Sequence, residues 1–142
     1  EMAIDKFGYE TMEMERTFNN YENINCQVNT GIHDYLKFLK FGFGRATDHA
    51  VRDIRLKRLT RTEGIDLVKK FDRIEPSNLE SFCDWIDLSK DEILNSIEDL
   101  RDPKAWKKES SGDWTLISKV EDFESSKFDE VKLEKKENRK YV

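Results

Sequence analysis

The polar and apolar positions along the chain fall into a helical rhythm from Ile32 onward. Ile32, Tyr35, Leu36 and Leu39 recur at spacings of three and four, the period of one helix face. "FGFG" at 41–44 ends that run, because Gly42 and Gly44 permit a sharp turn. A second helix is predicted from about Thr47 to Leu59, capped by Thr47 or Asp48, with Ala50, Val51 and Ile54 as its apolar stripe. Three more starts pair a Ser or Thr with a Glu three residues on: Thr60 with Glu63, Ser77 with Glu80, and Ser89 with Glu92. Each reads as a capping box, in which hydroxyl and carboxylate each satisfy one orphan backbone N–H. Apolar stripes follow: Ile65, Val68 and Phe71, then Leu79, Phe82, Cys83 and Ile86, then Ile93, Ile97 and Leu100.

The flanks break the rhythm. Residues 1–31 show no clear period and are rich in Asn and aromatics, which predicts loop or extended backbone. Pro103 disfavours helix at Asp102, so "RDPKAW" closes the last helix, and "SSGDWTLISKV" reads as a turn and a short strand. The expected fold is mainly α. It is a small domain of about five helices (32–120) with an irregular lead-in (1–31), a short C-terminal strand, and a charged, disordered tail (121–142).

Composition adds limits. Of 142 residues, 37% are hydrophobic and 39% charged, which implies a lean core under a heavily solvated surface. The net charge of −5 opposes bulk attraction to nucleic acid or anionic membrane, and no apolar run is long enough to span a bilayer. Cys26 and Cys83 lie far apart and read as reduced thiols of a cytoplasmic protein, without the spacing of a metal site or a visible base to make them nucleophiles. The opening "EMAIDKFGYE" lacks an initiating Met and resembles a helix entered midway, so we expect a piece of a longer protein.

The candidate chemistry sits just after the glycine turn, in "KFGFGRATDHAVRDIR" (40–55). At 3.6 residues per turn, Asp48, Arg52 and Arg55 share a face with His49 on its flank, while Ala50, Val51 and Ile54 point away. From Arg45 to Arg61 there are six Arg or Lys against two Asp, a net +4, so the remainder carries −9. Arginine forks and a helix N-terminus suit phosphate or carboxylate oxygens, which makes Arg45, Thr47, Asp48, His49, Arg52 and Arg55 candidate anion-binding residues. The plainer alternative is that Asp48 with Arg52, and Asp53 with Lys57, are ordinary surface ion pairs. His33 and His49 do not make a metal site.

A family likeness narrows this. "ERTFNNYENINC", "HDYLKFLKFGFGRATDHAVRDIR", "LTRTEGIDLVKKFD", "LESFCDWIDLSKDEI", "RDPKAW" and "GDWTL", in that order, resemble the C-terminal part of the N-acetyl sugar amidotransferases of surface-polysaccharide (LPS) biosynthesis. The likeness spans about residues 7–117, and "RATDHA" is its most specific block, although Val51 is larger than the pattern leads one to expect. It implies ATP-dependent conversion of an N-acetyl group on a nucleotide-activated sugar to an acetamidino group, with ammonia from a glutaminase partner. The implied course is adenylation of the amide oxygen, loss of pyrophosphate, then displacement of AMP by ammonia. Asp48 and His49 become candidate catalytic residues, and Arg16 and Thr17 of "ERTF" join the substrate-binding candidates. ATP, with Mg, is expected on a missing PP-loop domain, since the SGGxDS loop of such domains is absent from this sequence and the isolated chain is expected to be inactive.

Two other classes stay open on the residues alone. The basic stretch Arg45–Arg61 beside short helices fits a nucleic-acid module, and the same surface at Lys57, Arg58 and Arg61 fits a protein-docking module.

Overall fold

A computed structural model describes residues 2–20 and 27–123. Among these residues the chain forms six α-helices and one two-stranded sheet, a mainly α domain. The helices are α1 (Met2–Phe7), α2 (Gln27–Phe41), α3 (Arg45–Arg55), α4 (Arg61–Phe71), α5 (Leu79–Ile86) and α6 (Lys90–Glu98). The strands are β1 (Trp106–Lys108) and β2 (Trp114–Leu116).

α2 is the spine. Its Ile32 packs with Leu79, Cys83 and Ile93 of α5 and α6, and its Phe38 and Leu39 pack with Ile97 and Trp106. Tyr35 and Leu36 touch both groups, so one helix joins two small cores. At its C-terminal end Gly42 takes φ 78, donates to the Phe38 carbonyl at 2.7 Å, and reverses the chain. A side chain at Gly42 would collide with Leu116 and Ala105, because the hairpin crosses directly over this turn. Arg101 and Asp102 then serve the last carbonyls of α2: Arg101 Nη1 donates to the Leu39 oxygen at 2.9 Å and the Asp102 N–H to the Lys40 oxygen at 2.8 Å. Arg101 lies over the rings of Trp106 and Trp114, which draws the hairpin onto the end of α2.

Several boundaries differ from the sequence reading. The lead-in is partly helical: α1 occupies Met2–Phe7, stopped by Gly8 at φ 65, and α2 starts at Gln27 rather than Ile32. The added turn is held by contact, since Gly31 brings the helix against Pro76. α3 ends at Arg55, short of Leu59, where Lys57 turns left-handed and the Arg58 N–H returns to the Asp53 carbonyl. Ser77 does not cap α5. Its N–H and hydroxyl both donate to the carboxylate of Glu15, and Asn78 takes the N-cap position without a capping bond from its side chain. The boxes at Thr60 and Ser89 form as read. Leu100 lies beyond α6 and is 54% exposed, so it leaves the predicted stripe. β1 was not foreseen; it pairs antiparallel with β2, Trp106 opposite Leu116. Residues 120–123 make one 3₁₀ turn, while Cys26 and the rest of the predicted tail fall outside the described residues.

Candidate functional site

α3 carries most of the candidate residues, and its buried face is unusual. Ala46, His49, Ala50 and Asp53, spaced three and four apart, turn inward. The prediction that Val51 points to the core and His49 to the flank of the charged face is corrected: Val51 is 41% exposed and His49 is buried. The small Ala46 and Ala50 let neighbouring backbone come close. Gly64 of α4 makes this possible, since a methyl there would meet Ile54 at 2.8 Å and Ala50 at 3.5 Å.

The polar half of that face is matched by residues brought from a distance. The segment 16–19 lies against α3, and Thr17 Oγ1 shares a 2.6 Å hydrogen bond with His49 Nδ1. Phe18 covers the same imidazole edge-on and also meets Phe71. Arg16 is 3% exposed, donates Nη2 to the Asp72 carbonyl at 2.7 Å, and lies over the Tyr35 ring. Its Nε and Nη1 find no acceptor among the described residues, and burial pushes the guanidinium pKa below its ordinary value against the pull of Asp72 and Asp34.

Asp72 holds the start of α3. Its carboxylate accepts from the N–H groups of Gly44 at 2.9 Å, Ala46 at 3.0 Å and Thr47 at 3.4 Å, and from the Thr47 hydroxyl. Neither Thr47 nor Asp48 therefore caps α3; Gly44 is the N-cap and makes no side-chain bond. The helix N-terminus that the sequence offers to a substrate anion already holds a protein carboxylate. Arg45 is likewise committed. It grips the buried Asp34 of α2 through Nε and through Nη2 at 3.1 Å.

The candidates thus separate into two groups. Arg16, Thr17, Arg45, Thr47 and His49 form an inner group, in which Arg16 and Thr47 bond Asp72, Arg45 bonds Asp34, and Thr17 bonds His49. It borders a cavity of about 310 Å³ lined by Glu13, Glu15, Arg16, Thr17 and Asp34. Asp48, Arg52 and Arg55 stay on the outside, around a shallow depression of about 420 Å³ shared with Val51 and Leu56. Asp48 is paired there with Lys37, whose ammonium also lies over Phe43. Arg52 and Arg58 flank the buried Asp53 at 3.8 Å and 3.5 Å, so the predicted Asp48–Arg52 and Asp53–Lys57 pairs are replaced by other partners.

Asp34 and Asp72 were missed by the sequence reading. Asp72 did carry a signal: it stands at the C-cap of α4, the end where the helix dipole disfavours an anion, so another element must want its charge. Asp34 carried a weaker one, lying between the apolar positions Ile32 and Tyr35.

Comparison with known families gives one result on this geometry. A family model described as "LPS biosynthesis protein WbpG-like, C-terminal domain" matches residues 15–121. The match begins at Glu15 and takes in both the inner group and the outer depression. A comparison with curated proteins gave no match. The matched stretch is most of the chain, and the chain belongs to the family of WbpG-like C-terminal domains of LPS biosynthesis proteins.

Proposed function

We propose that this domain is the C-terminal part of an amidotransferase that converts the N-acetyl group of a nucleotide-activated sugar to an acetamidino group, using ATP and ammonia from a glutaminase partner. The observation that carries the proposal is the family match over residues 15–121, which ties the chain to LPS biosynthesis. The likeness of the "RATDHA" block to sugar amidotransferases narrows it to this reaction.

The residues here do not fit ATP or Mg. No SGGxDS loop occurs in the sequence, and among the described residues no three His, Cys, Asp or Glu are grouped to hold a metal ion. In this reading both belong to a separate ATP-binding domain. No helix among the described residues is long and apolar enough to cross a membrane. In this reading the reaction takes place on a water-borne sugar nucleotide in the cytoplasm.

The part left to this chain is to bind and position the sugar. Arg52 and Arg55 offer their guanidinium groups to a carboxylate or phosphate lying in the outer depression, and Asp48 beside them takes a hydroxyl or an ammonium proton. Arg16, Arg45, Thr47 and His49 act from behind: their hydrogen bonds to Asp34, Asp72 and Thr17 fix the orientation of α3. The test joins this chain to its ATP-binding half and follows AMP release with an N-acetylated sugar nucleotide and an ammonium salt. Arg52→Gln with Arg55→Gln is expected to raise the sugar KM by about tenfold or more while leaving ATP binding alone. A folded, joined enzyme that releases no AMP would overturn the activity.

A further inference from the structure

We propose that the glycine turn after α2, together with the hairpin end beside it, docks the protein on an anionic lipid surface. Three apolar side chains stand out there: Phe41 is 43% exposed, Phe43 40% and Ile117 53%. They come from two distant parts of the chain. The left-handed Gly42 separates the two phenylalanines, whose ring centres lie 6.3 Å apart. Leu116 and Ala105 press onto Gly42, and Ile117 follows at once, its N–H donating to the Ala105 carbonyl at 2.9 Å. Side chains without polar atoms, gathered at one tip of the fold, gain nothing from water.

Cations surround this tip. Lys40 Nζ lies 5.2 Å from the centre of the Phe41 ring, Arg73 borders the same hollow as Phe43 and Leu116, and Lys104 and Lys119 are exposed on the segments beside Ala105 and Ile117. Among the described residues Lys40, Lys104 and Lys119 have no carboxylate partner, whereas Lys37, over Phe43, is neutralised by Asp48. Asp102 and Asp122 accept the backbone N–H groups of Lys104 and Lys119. Four cations against those two carboxylates leave the tip at +2, on a chain of net −5. Phenylalanine and isoleucine enter the boundary between headgroups and acyl chains, and lysine stems lie along it while their ammonium groups reach for phosphate. Isoleucine offers no stacking face and four cations are few for a polyanion, so the pattern favours a bilayer over nucleic acid. The net charge repels such a surface at a distance, so the tip works on contact, within a Debye length. The inference does not rest on the amidotransferase reading and needs no catalysis.

The test mixes the full chain with vesicles of phosphatidylcholine holding about 30% phosphatidylglycerol and measures the fraction that sediments with them. Half-binding is expected at or below about 1 mM lipid in about 0.1 M salt, and about tenfold weaker binding to pure phosphatidylcholine or in about 0.5 M salt. Phe41→Ser with Phe43→Ser, and separately Lys40→Glu with Lys104→Glu, are each expected to weaken binding about tenfold or more. Should the phenylalanine pair melt below the parent, Ile117→Ser reads the same surface with a single exposed change. Trp85→Ser removes a side chain that is 72% exposed on α5 and is expected to leave binding unchanged. The proposal is overturned by no sedimentation up to about 5 mM lipid, by equal binding to uncharged vesicles, or by undiminished binding in folded variants of the tip. It is also overturned by a loss in Trp85→Ser as large as that at the tip, or by release of the bound protein with about 0.1 mM polyglutamate peptide, which would mark the surface as one for acidic proteins.

Discussion

Asp72 shows how much a single side chain settles here. It ends α4, begins α3, and receives the Arg16 guanidinium on its own carbonyl. Asp72→Ala strands several buried donors at once, and a loss of about 3 kcal/mol is expected, read as a fall in Tm of about 10 °C. Gly44→Ala reaches the same carboxylate by another route. Its φ of −120 is ordinary, yet a Cβ there lies 2.7 Å from Asp72 Oδ1. The methyl forces the carboxylate aside, and the expected cost is about 1–3 kcal/mol. Because both changes break one set of hydrogen bonds, the double variant should lose clearly less than the sum of the two. Additive losses in denaturant melts would show that the two positions act separately. At this scale the sequence named Arg45, Thr47 and His49 as chemically special, but their partners lie far along the chain. A helical period sees only its own element, so the grip of Asp34 on Arg45 and of Thr17 on His49 was out of its reach.

Among elements, legibility tracked how locally each one is specified. α4 and α6 were readable because hydroxyl, carboxylate and stripe fall within one turn of one another. The same letters at Ser77 misled, because Glu15 takes the hydroxyl and N–H for itself. A paired measurement separates the two cases: Thr60→Ala should cost about 1 kcal/mol, and Ser77→Ala, whose bonds are exposed, no more than about 0.5 kcal/mol. Equal losses would mean that the Thr60 box adds nothing. The inward face of α3 was misread because half of it is polar, and β1 was overlooked because three residues carry no period.

The hairpin also has a pH response. Glu98 of α6 accepts from Lys108 Nζ at 2.7 Å and from the Trp114 indole, and these bonds hold its pKa below the ordinary 4.5. A carboxyl lowered in the folded state stabilises the fold above its unfolded value, and that contribution fades as pH falls through the lower, folded one. Glu98→Gln should therefore melt below the parent near neutrality and converge with it as the solution is taken below about pH 4.5. A gap between the two that stays constant across that range would refute the link.

For the molecule as a whole, the charge reading needed the third dimension. Six cations between Arg45 and Arg61 suggested one basic face. Arg45 is instead neutralised inside by Asp34, Asp53 sits between Arg52 and Arg58, and only part of the set reaches solvent. That partial exposure suits a small anion better than a long polyanion. The kinship was legible because it rests on the order of motifs, which needs no geometry; the division of its arginines into inner and outer groups was not.

The stitching of residues 15–19 to the helices has a practical outcome. Glu15 holds the turn before α5, Arg16 leans on α4, and Thr17 answers the imidazole of α3, so this short ribbon works as a clasp over three helices. A shortened protein opening at residue 10 should unfold with the parent's cooperativity. One opening at Gln27 should lose its sharp transition and bind hydrophobic dye, although every helix from α2 onward is still encoded. Should both trimmed forms melt alike, the clasp would be mere decoration.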